Sequence, residues 1–302
     1  MAAERGVGRP TRPTGMKPTD PITRPVPTIA VTQTSTTFED VDWSPRAPGR
    51  VQHTGSRDSD SYHSRMTRAT TPTAVERSAQ DLSDRGPDDP MTEELLTWLS
   101  GSARFRSFAE TYRDKIRKKF RKATDPDVLR DVRAELQVAH LLLADRRFDL
   151  AFEAYGSGRV GPDLTVTFRG ARSFNLEITR LRRPPSGESN GSPLLAKLRQ
   201  LPPSSANAVL LAIDGDTAAA LDIDAIVRTF RSRADAKDEP FFAKRGLDGS
   251  RGFYERFLRL GGALVWCEAA VGDARASLWI NRSARIALPE RAIRASIQCL
   301  RA

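Results

Sequence analysis

The sequence predicts an α/β domain in which a helix, a three-stranded antiparallel meander, a second helix and a further strand follow one another. Three observations lead to this prediction. Residues 162–168 and 173–181 alternate apolar and polar side chains, which is typical of half-buried strands. Residues 127–146 repeat apolar residues at spacings of three and four, which indicates an amphipathic helix. Residues 207–213 are continuously apolar, as in a strand buried on both faces of a parallel sheet.

The first ninety of the 302 residues differ in composition from the rest of the chain. They contain 11 of the 20 prolines, balance 12 Lys and Arg against 12 Asp and Glu, and lack a periodic apolar pattern. Such a segment buries too little apolar surface to offset its ordering entropy, so residues 1–90 are predicted to be a disordered tail and residues 91–302 the folded domain. Short apolar clusters at 29–31 and 38–43 are candidate binding motifs for a protein partner, or scattered linker residues.

The formal net charge of +10 resides in residues 91–302, because the tail is neutral. Residues 103–122 carry nine Lys and Arg against two acidic residues, and their aromatic and aliphatic residues recur at helical spacing. The segment therefore predicts a basic amphipathic helix that contacts nucleic acid. An anionic membrane surface and simple solvation are the alternatives. The predicted contacts are Arg113, Lys115, Arg117, Lys118, Lys119, Arg121 and Lys122.

The two alternating segments predict a β-hairpin whose register follows from its short turn. A shift by one residue would move every side chain to the opposite face, and a short turn favours pairing Val166 with Phe174 and Leu164 with Leu176. This register places Asp163 opposite Glu177. Two facing carboxylates repel one another, and a divalent cation would remove that repulsion.

A third carboxylate, Glu135, lies at the margin of the apolar stripe of the 127–146 helix. Hard oxygen ligands indicate Mg²⁺ or Mn²⁺ rather than zinc. The predicted metal ligands are thus Asp163, Glu177 and Glu135. The alternative is that the hairpin carboxylates merely face water on a one-sided sheet.

This order of residues resembles the PD-(D/E)xK nuclease superfamily, which has the restriction-endonuclease-like fold. The matching parts are Glu135 on the first helix, Pro162-Asp163 before a strand, and Glu177-Ile178-Thr179 on the next strand. The resemblance covers roughly residues 127–213 and implies a catalytic group of Glu135, Asp163, Glu177, Thr179 and Lys197. In that family the Asp and Glu bind the metal, the helix Glu assists, and the Lys of ExK orients or activates the attacking water.

Thr179 stands where the resemblance calls for that lysine. A hydroxyl can bind water but supplies no positive charge to a pentavalent phosphate. Lys197, on the helix that follows, is the candidate for the missing cation, and a solvated helix residue is the alternative reading. Arg180 is not expected to serve, because alternation sends it to the apolar side with Ile178.

The remaining chain predicts additional C-terminal strands and helices. Residues 91–124 form a basic helical lead-in, 125–215 the core, and 216–302 a C-terminal extension. Within the extension we expect helices over 222–233 and 289–300 and strands over 263–267 and 277–281. Residues 238–254, which are rich in Gly and Asp, are expected to be a loop or lid.

The cysteines and histidines are few. Cys267 and Cys299 fall in apolar contexts, and both are predicted to be reduced core residues of a cytoplasmic protein. The three histidines are not at ligand spacing, and His140 is expected to be packed or half-buried. No apolar segment is long enough to indicate a secretory signal or a membrane span, so no membrane association is expected.

Three functions are consistent with the sequence. The first is a metal-dependent endonuclease or exonuclease that hydrolyses phosphodiester bonds, with DNA favoured as substrate and a homodimer as one candidate assembly. The second is a nuclease-fold protein without catalysis that binds nucleic acid or protein. The third is an α/β interaction protein whose acidic residues are incidental.

Overall fold

The structure is a computed structural model that describes residues 71–155, 161–181, 192–213, 221–268, 270 and 275–302. The helices are α1 (Ala74–Ser83), α2 (Pro90–Gly101), α3 (Ala103–Thr111), α4 (Arg113–Lys122), α5 (Pro126–Ala144), α6 (Ser192–Leu198), α7 (Ile223–Asp235), α8 (Glu239–Ala243), α9 (Gly249–Phe257) and α10 (Glu290–Arg301). The strands are β1 (Phe148–Phe152), β2 (Leu164–Phe168), β3 (Arg172–Leu181), β4 (Asn207–Ile213), β5 (Gly262–Cys267) and β6 (Ala276–Ile280).

The described strands form one six-stranded mixed sheet in chain order, β1-β2-β3-β4-β5-β6. The first three strands are an antiparallel meander, β3, β4 and β5 are parallel, and β6 is antiparallel to β5. The predicted α/β class and the predicted succession of helix, meander, helix and strand are confirmed. Strand β4 is buried along its whole length, as its continuous apolar sequence predicts.

The register of the β2–β3 hairpin is the predicted one. Leu164 pairs with Leu176, and Val166 pairs with Phe174. Even-numbered residues of β2 pair with even-numbered residues of β3, because the apolar side chains of both strands are buried on the same face of the sheet. Continued by one residue, this register sets Asp163 opposite Glu177.

The two faces of the sheet are covered by different helices. Helices α2, α3, α4, α5 and α10 contribute to the larger core, which includes Leu176, Leu210 and Leu264 of the central strands. Helices α6 to α9 pack on the other face, against residues such as Val209 and Val265. Alternation along the central strands β4 and β5 therefore divides their side chains between the two cores.

Folded structure begins earlier than residue 91, so the predicted boundary is wrong. Helix α1 lies inside the segment predicted to be disordered and has a capping box formed by Thr73 and Glu76. It buries Ala79 and Leu82 in the larger core. Its few apolar residues are stabilised by tertiary packing, which composition does not report. Residues 1–70, with the candidate partner motifs, lie outside the described residues.

The basic lead-in is two helices rather than one. The break is at Tyr112, whose φ of −109° and ψ of 18° are not helical. Phe105 and Phe108 of α3 and Ile116 and Phe120 of α4 are buried, so the predicted apolar face is present on both pieces.

Residues 238–254 are not a loop, and this prediction is wrong. They contain the short helix α8 and most of α9, which bury Phe242, Phe253 and Phe257. The Glu239 carboxylate accepts hydrogen bonds from the backbone N–H and hydroxyl of Ser250, at 2.9 and 2.8 Å, which joins the two helices. Burial of aromatic rings outweighs the turn preference of the glycines here.

The remaining local predictions agree with the structure. His140 is partly buried and stacks on Trp98 at 5.6 Å between ring centroids. Cys267 is buried and Cys299 is half-buried. Across the ranges given above, no helix has the length and apolar character needed to cross a bilayer.

Candidate active site

Asp163 lies immediately before β2, where the hairpin brings it beside β3. Its Oδ2 accepts a hydrogen bond from the backbone N–H of Ile178 at 2.8 Å. That bond orients the carboxylate toward the residue pair Glu177 and Ile178, as expected from the register. The side chain of Asp163 is 13% exposed.

The ammonium of Lys119, on α4, lies among three carboxylates from three parts of the chain. Its Nζ donates to Oε2 of Glu135 on α5. It also lies 3.3 Å from Oε1 of Glu153, which follows β1, and 3.4 Å from Oδ1 of Asp163. Glu135 and Asp163, both predicted as site residues, are therefore joined through one cation that the sequence had placed on a nucleic-acid-binding surface.

Glu177 forms a second ion pair on the α6 side of the sheet. Its side chain is 1% exposed, and its Oε1 accepts a hydrogen bond from Lys197 Nζ. The Gln200 amide lies beside the same carboxylate and, with its nitrogen turned toward it, donates to Oε2 at 3.3 Å. Lys197 thus contacts the predicted carboxylate directly, whereas the nearby exposed Arg199 lies against Gly246.

The two ion pairs belong to one electrostatic cluster. Burial, followed by the charge of Asp163, raises the pKa of Glu135 to about 8 and that of Glu177 to about 7, although the neighbouring lysines act in the opposite direction. Burial opposes the charge of Lys197, yet Glu177 and Asp163 raise its pKa above the ordinary value. The Asp163 carboxylate therefore lies close enough to both glutamates to raise their pKa values.

A cleft of about 300 Å³ opens beside this cluster. Its walls include Lys119, Glu135, Thr179 and Lys197. Thr179 therefore faces the same space as the two ion pairs, as its position in the predicted motif implies. The cleft is large enough for a few small polar groups, such as a phosphate and its neighbouring waters.

Arg180 is also a wall of the cleft, but it belongs to the α5 side. Its guanidinium donates to Asp127 Oδ1 at 2.7 Å and to Asp131 Oδ1 at 3.3 Å. Strand alternation sends it away from Glu177, as predicted. Arg180 ties the first turns of α5 to β3 and so fixes the helix that carries Glu135.

The donor set is chemically suited to a hard divalent cation. Glu135, Asp163 and Glu177 offer carboxylate oxygens that are largely shielded from water. The oxygens are at present turned onto ammonium groups. Within the described part of the chain, no set of three or more His, Cys, Asp or Glu side chains is arranged around a possible metal position. A bound cation would therefore require side chains to rearrange.

Most of the predicted nucleic-acid contacts form ion pairs or hydrogen bonds with other parts of the protein. Arg113 and Arg117 pair with Asp81 of α1 at 2.6 and 3.2 Å, and Arg121 pairs with Asp84 at 3.4 Å. Lys115 donates to the carbonyls of Phe152 and Glu153, at 2.9 Å each.

Two lysines of the predicted surface are oriented differently. Lys118 and Lys122 are exposed and have no ion pair with any described residue. The acidic partners Asp81 and Asp84 of the neighbouring arginines come from a segment that was expected to be disordered. Lys122 also borders the cleft.

Sequence reasoning missed Lys119 as a member of the site, along with Glu153 and Gln200. Gln200 lies three residues after Lys197, and this helical spacing could have indicated that the two side chains are neighbours. Glu153 and Lys119 gave no such signal, since their positions depend on how the meander packs against α4.

Comparisons of the chain with protein-family models, curated proteins and solved structures found no match.

Proposed function

We propose that this chain is a metal-dependent phosphodiesterase of the PD-(D/E)xK nuclease type, with a restriction-endonuclease-like core and nucleic acid, most simply DNA, as substrate. The proposed ligands of Mg²⁺ or Mn²⁺ are Asp163 and Glu177, with Glu135 assisting. Lys197 supplies the cation that the motif lacks at Thr179.

The observation that carries this proposal is the contact between Lys197 and Glu177 beside Asp163. In the motif, a lysine two residues after the glutamate brings its ammonium to the metal-binding carboxylates. Here that position is Thr179, and an ammonium from α6 contacts the same glutamate. The Lys197 ammonium therefore lies beside the carboxylate pair of Asp163 and Glu177, although it comes from a different helix. Lys197 and Thr179 both line the neighbouring cleft.

The proposed reaction is hydrolysis by in-line attack. A water oxygen forms a bond to phosphorus while the bond to the leaving ester oxygen breaks, and the water proton passes to a basic group or to solvent. When bound, Mg²⁺ would supply the charge that polarises a phosphoryl oxygen. The Lys197 ammonium stabilises the negative charge that develops on the phosphate, and the Thr179 hydroxyl positions the water.

The protein scaffold supports this chemistry by fixing the carboxylates. Asp163 is held by the Ile178 N–H, and Glu177 is flanked by Lys197 and Gln200. Such restraint lowers the cost of organising the groups in the transition state. The carboxylates are also partly shielded from water, which strengthens their electrostatic interactions.

The test is cleavage of supercoiled plasmid and of labelled single- and double-stranded oligonucleotides in Mg²⁺ or Mn²⁺. The wild-type chain is compared with the Asp163→Asn/Glu177→Gln double variant, which keeps the shape of both side chains. Metal-dependent cleavage that the double variant lacks supports the proposal. Equal cleavage by both proteins would point to a contaminating nuclease and overturn it.

A second candidate, a nuclease-fold module that binds nucleic acid without cutting it, is favoured by Thr179 and by the engagement of Glu135 and Asp163 with Lys119. Binding without metal-dependent turnover would support this candidate. Absence of both binding and cleavage would instead favour a protein-interaction role in which the acidic residues are incidental.

A further inference from the structure

We infer that Lys119 is a resident counter-ion of the carboxylate cluster and that it competes with a divalent cation for Glu135 and Asp163. This inference rests on the proposed function, because it concerns the metal affinity of the same site. It assigns Lys119 a positioning role that neither the motif nor the basic surface predicts.

The contacts of Lys119 are those of a counter-ion rather than of a solvated surface residue. Its ammonium touches Glu135, Glu153 and Asp163, which come from α5, the end of β1 and the start of β2. It also lies over the Phe152 ring, 4.9 Å from the centroid. Its side chain is 18% exposed.

The helix that carries Lys119 is anchored on both sides. Arg113 and Arg117 bind Asp81 of α1, while Lys115 binds two carbonyls at the end of β1. These contacts fix the backbone of α4 against both α1 and the sheet. Lys119 is therefore delivered to the carboxylates by a positioned helix, and a change in its own rotamers is enough to withdraw the ammonium toward the cleft that it lines.

Competition follows from the charges. The ammonium neutralises part of the negative charge that would otherwise attract a divalent cation, and it occupies Asp163 Oδ1 while the Ile178 N–H occupies Oδ2. A cation that binds these oxygens must displace the ammonium from them. The metal affinity of the wild-type chain is therefore lower than the three carboxylates alone would give.

The main experiment measures Mn²⁺ binding to the full chain at pH 8 by isothermal titration calorimetry, checked by electron paramagnetic resonance of free Mn²⁺. Lys119→Met removes the charge but keeps much of the stem, and we expect Mn²⁺ to bind on the order of tenfold more tightly. Lys119→Arg keeps the charge and stays close to wild type. The control is Lys244→Met, at an exposed lysine after α8 that lies outside the carboxylate cluster and the predicted nucleic-acid surface, and it leaves the affinity unchanged.

A second measurement uses the wild-type chain and so does not depend on the folding of a variant. Amine-reactive labelling followed by mass spectrometry reports the accessibility of each lysine. Saturating Mn²⁺ should increase the labelling rate of Lys119 several-fold and leave Lys118 unchanged.

The outcomes separate this inference from the proposed function. Mn²⁺ binding that is equal or weaker in folded Lys119→Met than in wild type overturns the counter-ion role but leaves the proposed nuclease in place. A labelling rate of Lys119 that saturating Mn²⁺ does not change overturns it as well. Absence of Mn²⁺ binding in wild type and in Lys119→Met removes the metal site and thus both proposals.

Discussion

The Lys197 ammonium contacts the Glu177 carboxylate. Lys197 lies on α6 and Glu177 on β3, and ten residues of the chain connect these two elements. A carboxylate that is 1% exposed thereby obtains a positive partner from another element. Lys197 thus places an ammonium beside Glu177, although the residue two positions after Glu177, where the motif has a lysine, is Thr179. The first prediction tests whether that ammonium is functional.

Lys197→Met is expected to lower metal-dependent cleavage on the order of 10²–10³-fold, since it removes a charge aimed at the developing phosphate charge. Single-turnover cleavage of a labelled oligonucleotide measures the effect. Arg199→Met is the control, because Arg199 is an exposed cation two residues away that lies against Gly246. Equal losses in both variants would contradict a specific role for Lys197.

The metal-free protein is expected to lose stability as pH rises from 5 to 8. The folded-state pKa values of Glu135 and Glu177, about 8 and about 7, lie above the ordinary value of 4.5, so the folded chain binds more protons than the unfolded chain in this range. The corresponding stability is fully present below pH 4.5 and is lost as pH rises through the folded values. Each extra proton contributes about 1.4 kcal/mol per pH unit to the slope.

Urea denaturation at several pH values with a chelator present measures this slope. The Glu135→Gln/Glu177→Gln double variant cannot take up these protons and should show a flatter dependence. A variant with the wild-type slope would show that other groups cause the effect.

Lys118 and Lys122 are expected to carry the nucleic-acid contacts of α4. Their replacement by alanine together should weaken binding across sequences and reduce the slope of log affinity against log salt by about 2, because each phosphate contact contributes about 1. Fluorescence anisotropy over a salt series measures both quantities. Lys244→Ala, at an exposed lysine after α8, serves as the control and should change neither.

Replacement of Arg113 is expected to act through stability instead. Arg113 Nε lies 2.6 Å from Asp81, and this pair helps to join α4 to α1. Arg113→Ala should therefore lower the melting temperature slightly, by the modest amount typical of exposed pairs, and leave the salt slope intact. A smaller slope of log affinity against log salt, with an unchanged melting temperature, would show instead that Arg113 contacts nucleic acid.

Helix α1 is expected to be integral to the folded unit. Leu82 is 1% exposed, so Leu82→Ala should reduce the free energy of unfolding by about 2–5 kcal/mol through lost burial and the resulting cavity. Chemical denaturation measures this change. Arg77→Ala, at an exposed position of the same helix, should have little effect, and a similar loss in both variants would contradict the assignment of the Leu82→Ala loss to packing.

Much of the sheet was predictable because strand geometry is local. A period of two sorts each residue to one face, and a short turn restricts which residues can pair, so the Val166–Phe174 pairing and the place of Asp163 opposite Glu177 followed from the letters alone. The wrong predictions, the boundary at residue 90 and the lid at 238–254, concern short helices. Their stability comes from rings and methyl groups buried against distant elements, such as Phe253 and Leu82.

Local sequence patterns were enough to predict the order of the core elements, the register of the hairpin and the three acidic residues of the cluster. The cations that meet those acids depend on the fold, which turns Lys119 inward and pairs Arg113 and Arg117 with α1. The two kinds of feature differ in range along the chain. Backbone periodicity is set by neighbouring residues, whereas an ion pair depends on two side chains that chain folding brings together from many positions apart.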